Sequence, residues 1–148
     1  MNEYGRRIVI ASGFEAVVGE VSRALREEGL QTIARIDVRD HFWRDPGHDF
    51  RRYFLIEAWS PALALEALQH DLDAGTVFPT TFAIYELADS RTVVVVRQPF
   101  SPLIADREWR QQAPAVAAVA DRETERVARV LARLQATPSH HASDQPAV

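Results

Sequence analysis

Residues 57–67 read EAWSPALALEA, and ten residues further on residues 77–82 read VFPTTF. Each stretch sets a proline where the backbone must change direction. Ser60 followed by Pro61 pairs an N-cap serine with a residue whose φ is already fixed for the first helical position, so a strand ending near Trp59 should hand over to a helix. Pro79 stands where a strand would begin, the place at which a missing N–H costs least. The fold turns on whether these two corners belong to one sheet.

Upstream of the first corner, Phe50, Phe54, Ile56 and Ala58 form one apolar side of an alternating strand, interrupted only by Arg52. Arg51, Tyr53, Leu55, Glu57 and Trp59 form the other, mixed side. A sheet covered by helices on one face needs one such apolar side per strand. The mixed side carries two bulky aromatics and is expected to meet a partner subunit. Downstream, Ala62, Leu65, Leu68 and Leu72 give the expected apolar face of a helix that ends near Gly75. After the second corner, TTFAIYEL (80–87) and TVVVVRQ (92–98) read as two strands joined by ADSR, a hairpin.

Residues 6–11 are short, branched and apolar, which suits a buried strand. Ser12 with Glu15 has the spacing of a capping box. Phe14, Val17, Val18, Val21, Ala24 and Leu25 then share one helical face. Gly29 is placed as a left-handed C′ residue, with Leu30 folding back on the last turn. Residues 31–37 return as a strand, and VRDHFWRDPGHD (38–49) is a loop with at most one helical turn. A long helix begins at Pro114, with Val116, Ala120, Val127, Val130, Leu131 and Leu134 facing one way and Glu125 spaced to pair with Arg129. The order is β-α-β-β-α-β-β-α. That predicts an α+β fold: an antiparallel sheet of about five strands, helices on one face, and a ferredoxin-like split β-α-β core.

The chain of 148 residues, 47% hydrophobic and 26% charged, is read as one domain over residues 1–136 and a loose tail over 137–148 that includes His140 and His141. A formal charge of -4 favours neither nucleic acid nor an anionic membrane as partner. Every basic side chain is arginine, and cysteine is absent. Schiff-base lysines, P-loop lysines, thiolate nucleophiles, cysteine-zinc sites and disulfides are thereby excluded. The short N-terminal apolar run suits neither a signal peptide nor a membrane span, and a cytoplasmic location is expected.

The early amphipathic helix ending in EEGLQTIARIDV, the strand running into Ser60-Pro61 with Ala64 shortly after, Gly75 and the Phe78-Pro79 turn together resemble the family catalogued as domain of unknown function 302. The resemblance covers roughly residues 6–104. It implies a small α+β domain with an antiparallel sheet that forms a homodimer, and it leaves the biochemical role open. Many members of that family carry Cys-Asn-Pro at the strand-to-helix junction and Leu-Pro-Cys before the next strand. Here those positions read Trp59-Ser60-Pro61 and Phe78-Pro79-Thr80, so no thiol-dependent activity of relatives transfers to this chain.

Three groups of residues are candidates for chemistry. At the two corners, a free helix N-terminus with the hydroxyls of Ser60 and Thr80, and with Trp59 and Arg51, forms the expected ligand-binding set for a small anion such as a carboxylate or phosphate. The competing account is that Ser60 only caps its helix and Trp59 fills space. In the loop, His41, Asp45, His48 and Asp49 are metal-ligand types without a recognised spacing, and solvated loop polarity explains them equally. On the strands, Arg35, Arg51, Arg52 and Arg97 are able to clamp an anion, against a competing cross-strand pairing with Glu57 and Glu86. No catalytic triad order or glycine-rich phosphate loop stands out, and no cofactor is expected. The resulting expectation is a non-catalytic homodimeric domain that binds a small molecule or a protein partner. The alternative is a metal-assisted enzyme using His41 and His48.

Overall fold

The computed structural model describes residues 4–42 and 49–137. Its strands are β1 (Arg6–Ile10), β2 (Gln31–Asp37), β3 (Tyr53–Trp59), β4 (Thr80–Glu86) and β5 (Thr92–Val96). Its helices are α1 (Phe14–Glu27), α2 (Val38–Phe42), α3 (Pro61–His70), α4 (Arg107–Gln112) and α5 (Pro114–Ala136), with short 3-10 turns at Leu72–Thr76 and Leu103–Ala105. The expected order of strands and long helices is present, in an α+β fold with one five-stranded sheet whose neighbouring strands are all antiparallel.

The strand order is β1-β5-β4-β3-β2, which corrects the ferredoxin-like core. A split β-α-β unit would insert β3 alone between β1 and β2; here three strands separate them. The reason is legible in polarity. β1 opens with the exposed Arg6 and Arg7, which suit an edge, whereas β5 is buried at four of its five positions and fits the interior. β4 then pairs directly with β3, setting Phe82 opposite Ile56 and Ile84 opposite Phe54.

The main core lies between one sheet face and two helices. Ile8, Ile10, Phe54, Ile56, Ala58, Phe82, Ile84, Val94 and Val96 meet the predicted stripe of α1 and Val127, Val130, Leu131 and Leu134 of α5. A second cluster joins Leu63, Ala64 and Ala67 of α3 to Val116, Val119 and Ala120 of α5, together with Phe78 and Phe100. That overturns the expected face of α3, because Leu65 and Leu72 are exposed. α3 packs against α5 through Leu63 and through Ala64 and Ala67, whose small side chains permit close approach, and Leu65 and Leu72 fall outside.

Local details follow the same logic. α1 ends in a Schellman motif: Leu30 N–H donates to the Leu25 carbonyl at 2.8 Å, Gly29 N–H donates to Arg26 at 3.1 Å, and Gly29 has φ 73°. Its start differs from expectation. Gly13 occupies the N-cap without a side-chain bond, because the Ser12 carbonyl is held by the Thr92 hydroxyl at 2.9 Å and Glu15 pairs with Arg52 instead of closing a capping box. Arg129 likewise bonds Glu28 of α1 at 2.7 Å rather than Glu125. Interhelix pairing displaces the expected i,i+4 pair.

Candidate functional site

The two proline corners come together. β3 turns Ala58 toward the helices, and Ala58 lies opposite Thr80, the first residue of β4. Two residues past Ala58 the chain leaves the sheet. Ser60 takes the extended N-cap conformation, Pro61 occupies the first helical position, and the Ser60 carbonyl accepts from Ala64 N–H at 2.8 Å. The Ser60 hydroxyl itself makes no capping bond. Ser60 and Thr80 are 3% and 2% exposed, and the Thr80 hydroxyl has no hydrogen-bond partner. Such a group loses its water without replacement, at a cost of about 1–3 kcal/mol.

A third residue completes this seam. Glu123 of α5 is fully buried, with no hydrogen-bond partner for either carboxylate oxygen. Burial pushes its pKa up to about 7; the Ser60 backbone N–H, which faces the carboxyl without closing a hydrogen bond of ordinary geometry, and the more distant charge of Arg126 oppose the shift. An anion at this seam would meet the Glu123 carboxyl as well as the α3 N-terminus, so its binding would require that carboxyl to be protonated. The signal for Glu123 is present in the sequence: it falls on the α5 stripe between Ala120 and Val127, a charge at a helical position otherwise filled by apolar residues.

Trp59 and Arg51 are placed elsewhere. The Trp59 ring stacks on Phe78 at 6.0 Å, in an aromatic series continued by Phe100 and Trp109. Arg51 sits beyond the opposite end of β3, donating to the Glu86 carbonyl at 3.2 Å. Arg35 lies over the Phe54 ring at 4.0 Å, Arg52 lies over Phe14 at 4.6 Å, and Glu57 accepts from the Thr81 hydroxyl at 2.8 Å. Arg35 and Arg52 thus sit on two rings that meet edge to face at 4.8 Å, and Arg51 is engaged separately at the Glu86 carbonyl. His41 lies on α2, whereas Asp45 and His48 lie outside the described residues. Among the described residues no group of three His, Asp or Glu side chains is arranged to hold a metal. No helix among them is long and apolar enough to cross a membrane.

The sheet face opposite α1 and α5 is the second feature of note. Alternation and register gather Val9, Val93, Tyr85 and Tyr53 into one row across the sheet, and Arg7, Val95, Ala83, Leu55 and Ile36 into the next. The Tyr53 and Tyr85 rings stack at 5.4 Å, and burial raises the Tyr53 pKa, with the Tyr85 hydroxyl adding to the shift. The adjoining row is polar, carrying Thr81 and Glu57. None of these side chains belongs to either core cluster; Val93 is already buried within the chain, Tyr53, Tyr85, Val95, Ala83 and Leu55 are half-buried, and Val9 and Ile36 are 40% and 38% exposed.

The model of the family described as Domain of unknown function DUF302 matches residues 7–134. The chain belongs to the DUF302 family. A crystal structure of an uncharacterized conserved DUF302 protein from Bacillus stearothermophilus superposes with a TM-score of 0.74 at 19% identity, covering 90% of this chain and 99% of that one. At that identity the likeness carries the fold. Comparison with curated proteins finds no match.

Proposed function

We propose that this DUF302 chain is a non-catalytic homodimeric binding domain whose two copies pair through the face of the sheet opposite α1 and α5. The observation that carries the reading is the pair of cross-sheet rows, one running from Val9 to Tyr53 and one from Val95 to Ile36, which join neither core. Apolar surface gathered on one flat face, bordered by Arg7 on one side and by Glu57 and Thr81 on another, has the make-up of a buried interface with a polar rim. Two-fold pairing would bury the rows against themselves, the self-complementary arrangement of most homodimers. Light scattering across a concentration series tests it: a mass of two chains is expected, and a single-chain mass throughout would count against it. The dimer leaves the helical side of each copy free to bind a small molecule.

A further inference from the structure

A concavity lies on that helical side, at the sheet edge. It is a cleft of about 400 Å³ between the start of β1, the end of β5 and α5, within the size range of small-molecule sites. Its floor is apolar: Val96, Pro99, Val127 and Leu131 are buried there, with Ala128 beside them. Gln98, Ser101 and Thr124 also line it, and Arg6 is the one charged residue among the described residues that does so.

Two features make this a built site. First, Gly5 forms part of the wall, and a Cβ at that position would overlap the carbonyl oxygen of Val96. Only glycine lets the chain enter β1 this close to β5. Second, Arg6 lies opposite Val96 and shares the strand face of Ile8 and Ile10, so alternation directs its side chain toward α5 and not toward the outer face of the sheet. Arg6 has no carboxylate partner among the described residues. Four arginines of the helices are paired: Arg110 with Asp121, Arg122 with Glu66, Arg129 with Glu28, and Arg133 with Glu27 and Glu28. The Thr124 hydroxyl donates to the Ala120 carbonyl at 2.8 Å and keeps its lone pairs for a donor in the cleft.

We infer that this cleft binds a small apolar molecule bearing a carboxylate, its body on Val96, Val127 and Leu131 and its head on the Arg6 guanidinium. The inference gives the small-molecule part of the binding-domain reading a place and a ligand class, and it rests on that reading. Arg6 supplies the planar fork that matches a carboxylate with two parallel hydrogen bonds. Among the described residues no acidic side chain lines the cleft itself; the nearest carboxylates, Asp121 and Glu125, line the adjoining concavity that shares Gln98 and Thr124.

The test titrates the full chain with octanoate and with octanamide, following backbone amide shifts by NMR and solution mass in the same samples. Octanoate is expected to shift the amides of Arg6, Val96, Gln98 and Ala128, with octanamide roughly tenfold weaker. Arg6→Gln should weaken octanoate roughly tenfold and leave octanamide unchanged, the loss expected for one charge-assisted contact. Ala128→Trp, which fills the cleft, should abolish both. Equal binding of acid and amide, octanoate binding undiminished in Arg6→Gln, or shifts confined to other surfaces would overturn the inference. So would the absence of any shift at millimolar octanoate. The solution mass reports separately on pairing, so loss of the dimer with octanoate still bound would defeat only the dimer.

Discussion

Glu123 of α5 turns its buried carboxyl toward the backbone N–H of Ser60, at the corner where β3 becomes α3, yet neither oxygen completes a hydrogen bond. The seam between the two core clusters therefore contains an acid that the fold tolerates best when protonated. With a folded pKa of about 7 against an ordinary value of 4.5, the folded chain holds a proton there that the unfolded chain releases. Stability is then highest below pH 4.5 as far as this group is concerned, and it declines as pH rises through 7. Replacing Glu123 by Gln should flatten the decline and stabilise the chain at pH 8 by up to roughly 3 kcal/mol. Denaturant unfolding of both proteins at pH 5 and pH 8 checks it; a parallel pH dependence in the two would refute the assignment.

Glu28 at the end of α1 has the opposite sign. Its two oxygens accept from Arg129 Nε at 2.7 Å and Arg133 Nε at 2.6 Å, and these bonds hold its carboxyl below the ordinary 4.5. The stabilisation is present above pH 4.5 and is lost as pH falls through the lowered folded value. Glu28→Gln should cost about 1–3 kcal/mol at pH 7. The difference from the unsubstituted chain should shrink toward pH 3, as read from thermal unfolding across that range.

Gly29 supports the same junction through its backbone. Its φ of 73° lies in the left-handed region, and a Cβ there would stand 2.6 Å from Arg126 Nη1, the group that donates to the Glu28 carbonyl at 2.7 Å. Gly29→Ala is expected to lower stability by about 1–2 kcal/mol, part backbone strain and part displacement of Arg126. Urea midpoints measure it, and an unchanged midpoint would show that Arg126 yields without cost.

How much of this was legible in the sequence depends on which interaction decides each feature. The helix start at Pro61, the strand start after Pro79, the α1 stripe and the Gly29 terminus rest on local geometry and stand as read, whereas the expected side-chain cap from Ser60 is not made. Strand order does not, because the apolar alternation of β1 suits a centre or an edge, and only the arginines at 6 and 7 favour the edge. The face of α3 is not legible because leucines outweigh alanines in a hydrophobic pattern, while packing on α5 selects Leu63 with the alanines at 64 and 67. Glu123 could have been found as a charge on an apolar stripe. The Arg6 cleft could not, since it needs the ends of β1 and β5 and the middle of α5 in one place.

The claim on which the account most depends is pairing through the open sheet face. Sedimentation equilibrium of the unsubstituted chain and of a Val9→Glu/Ile36→Glu double variant tests it most directly, with circular dichroism to verify that the variant is folded. Both positions are already exposed in the single chain, so the substitutions should leave the monomer intact while setting charge inside the interface. The account predicts two-chain mass for the first protein and single-chain mass for the second, with the same spectrum. A folded double variant that still sediments as a dimer, or an unsubstituted chain that stays single at high concentration, would contradict it.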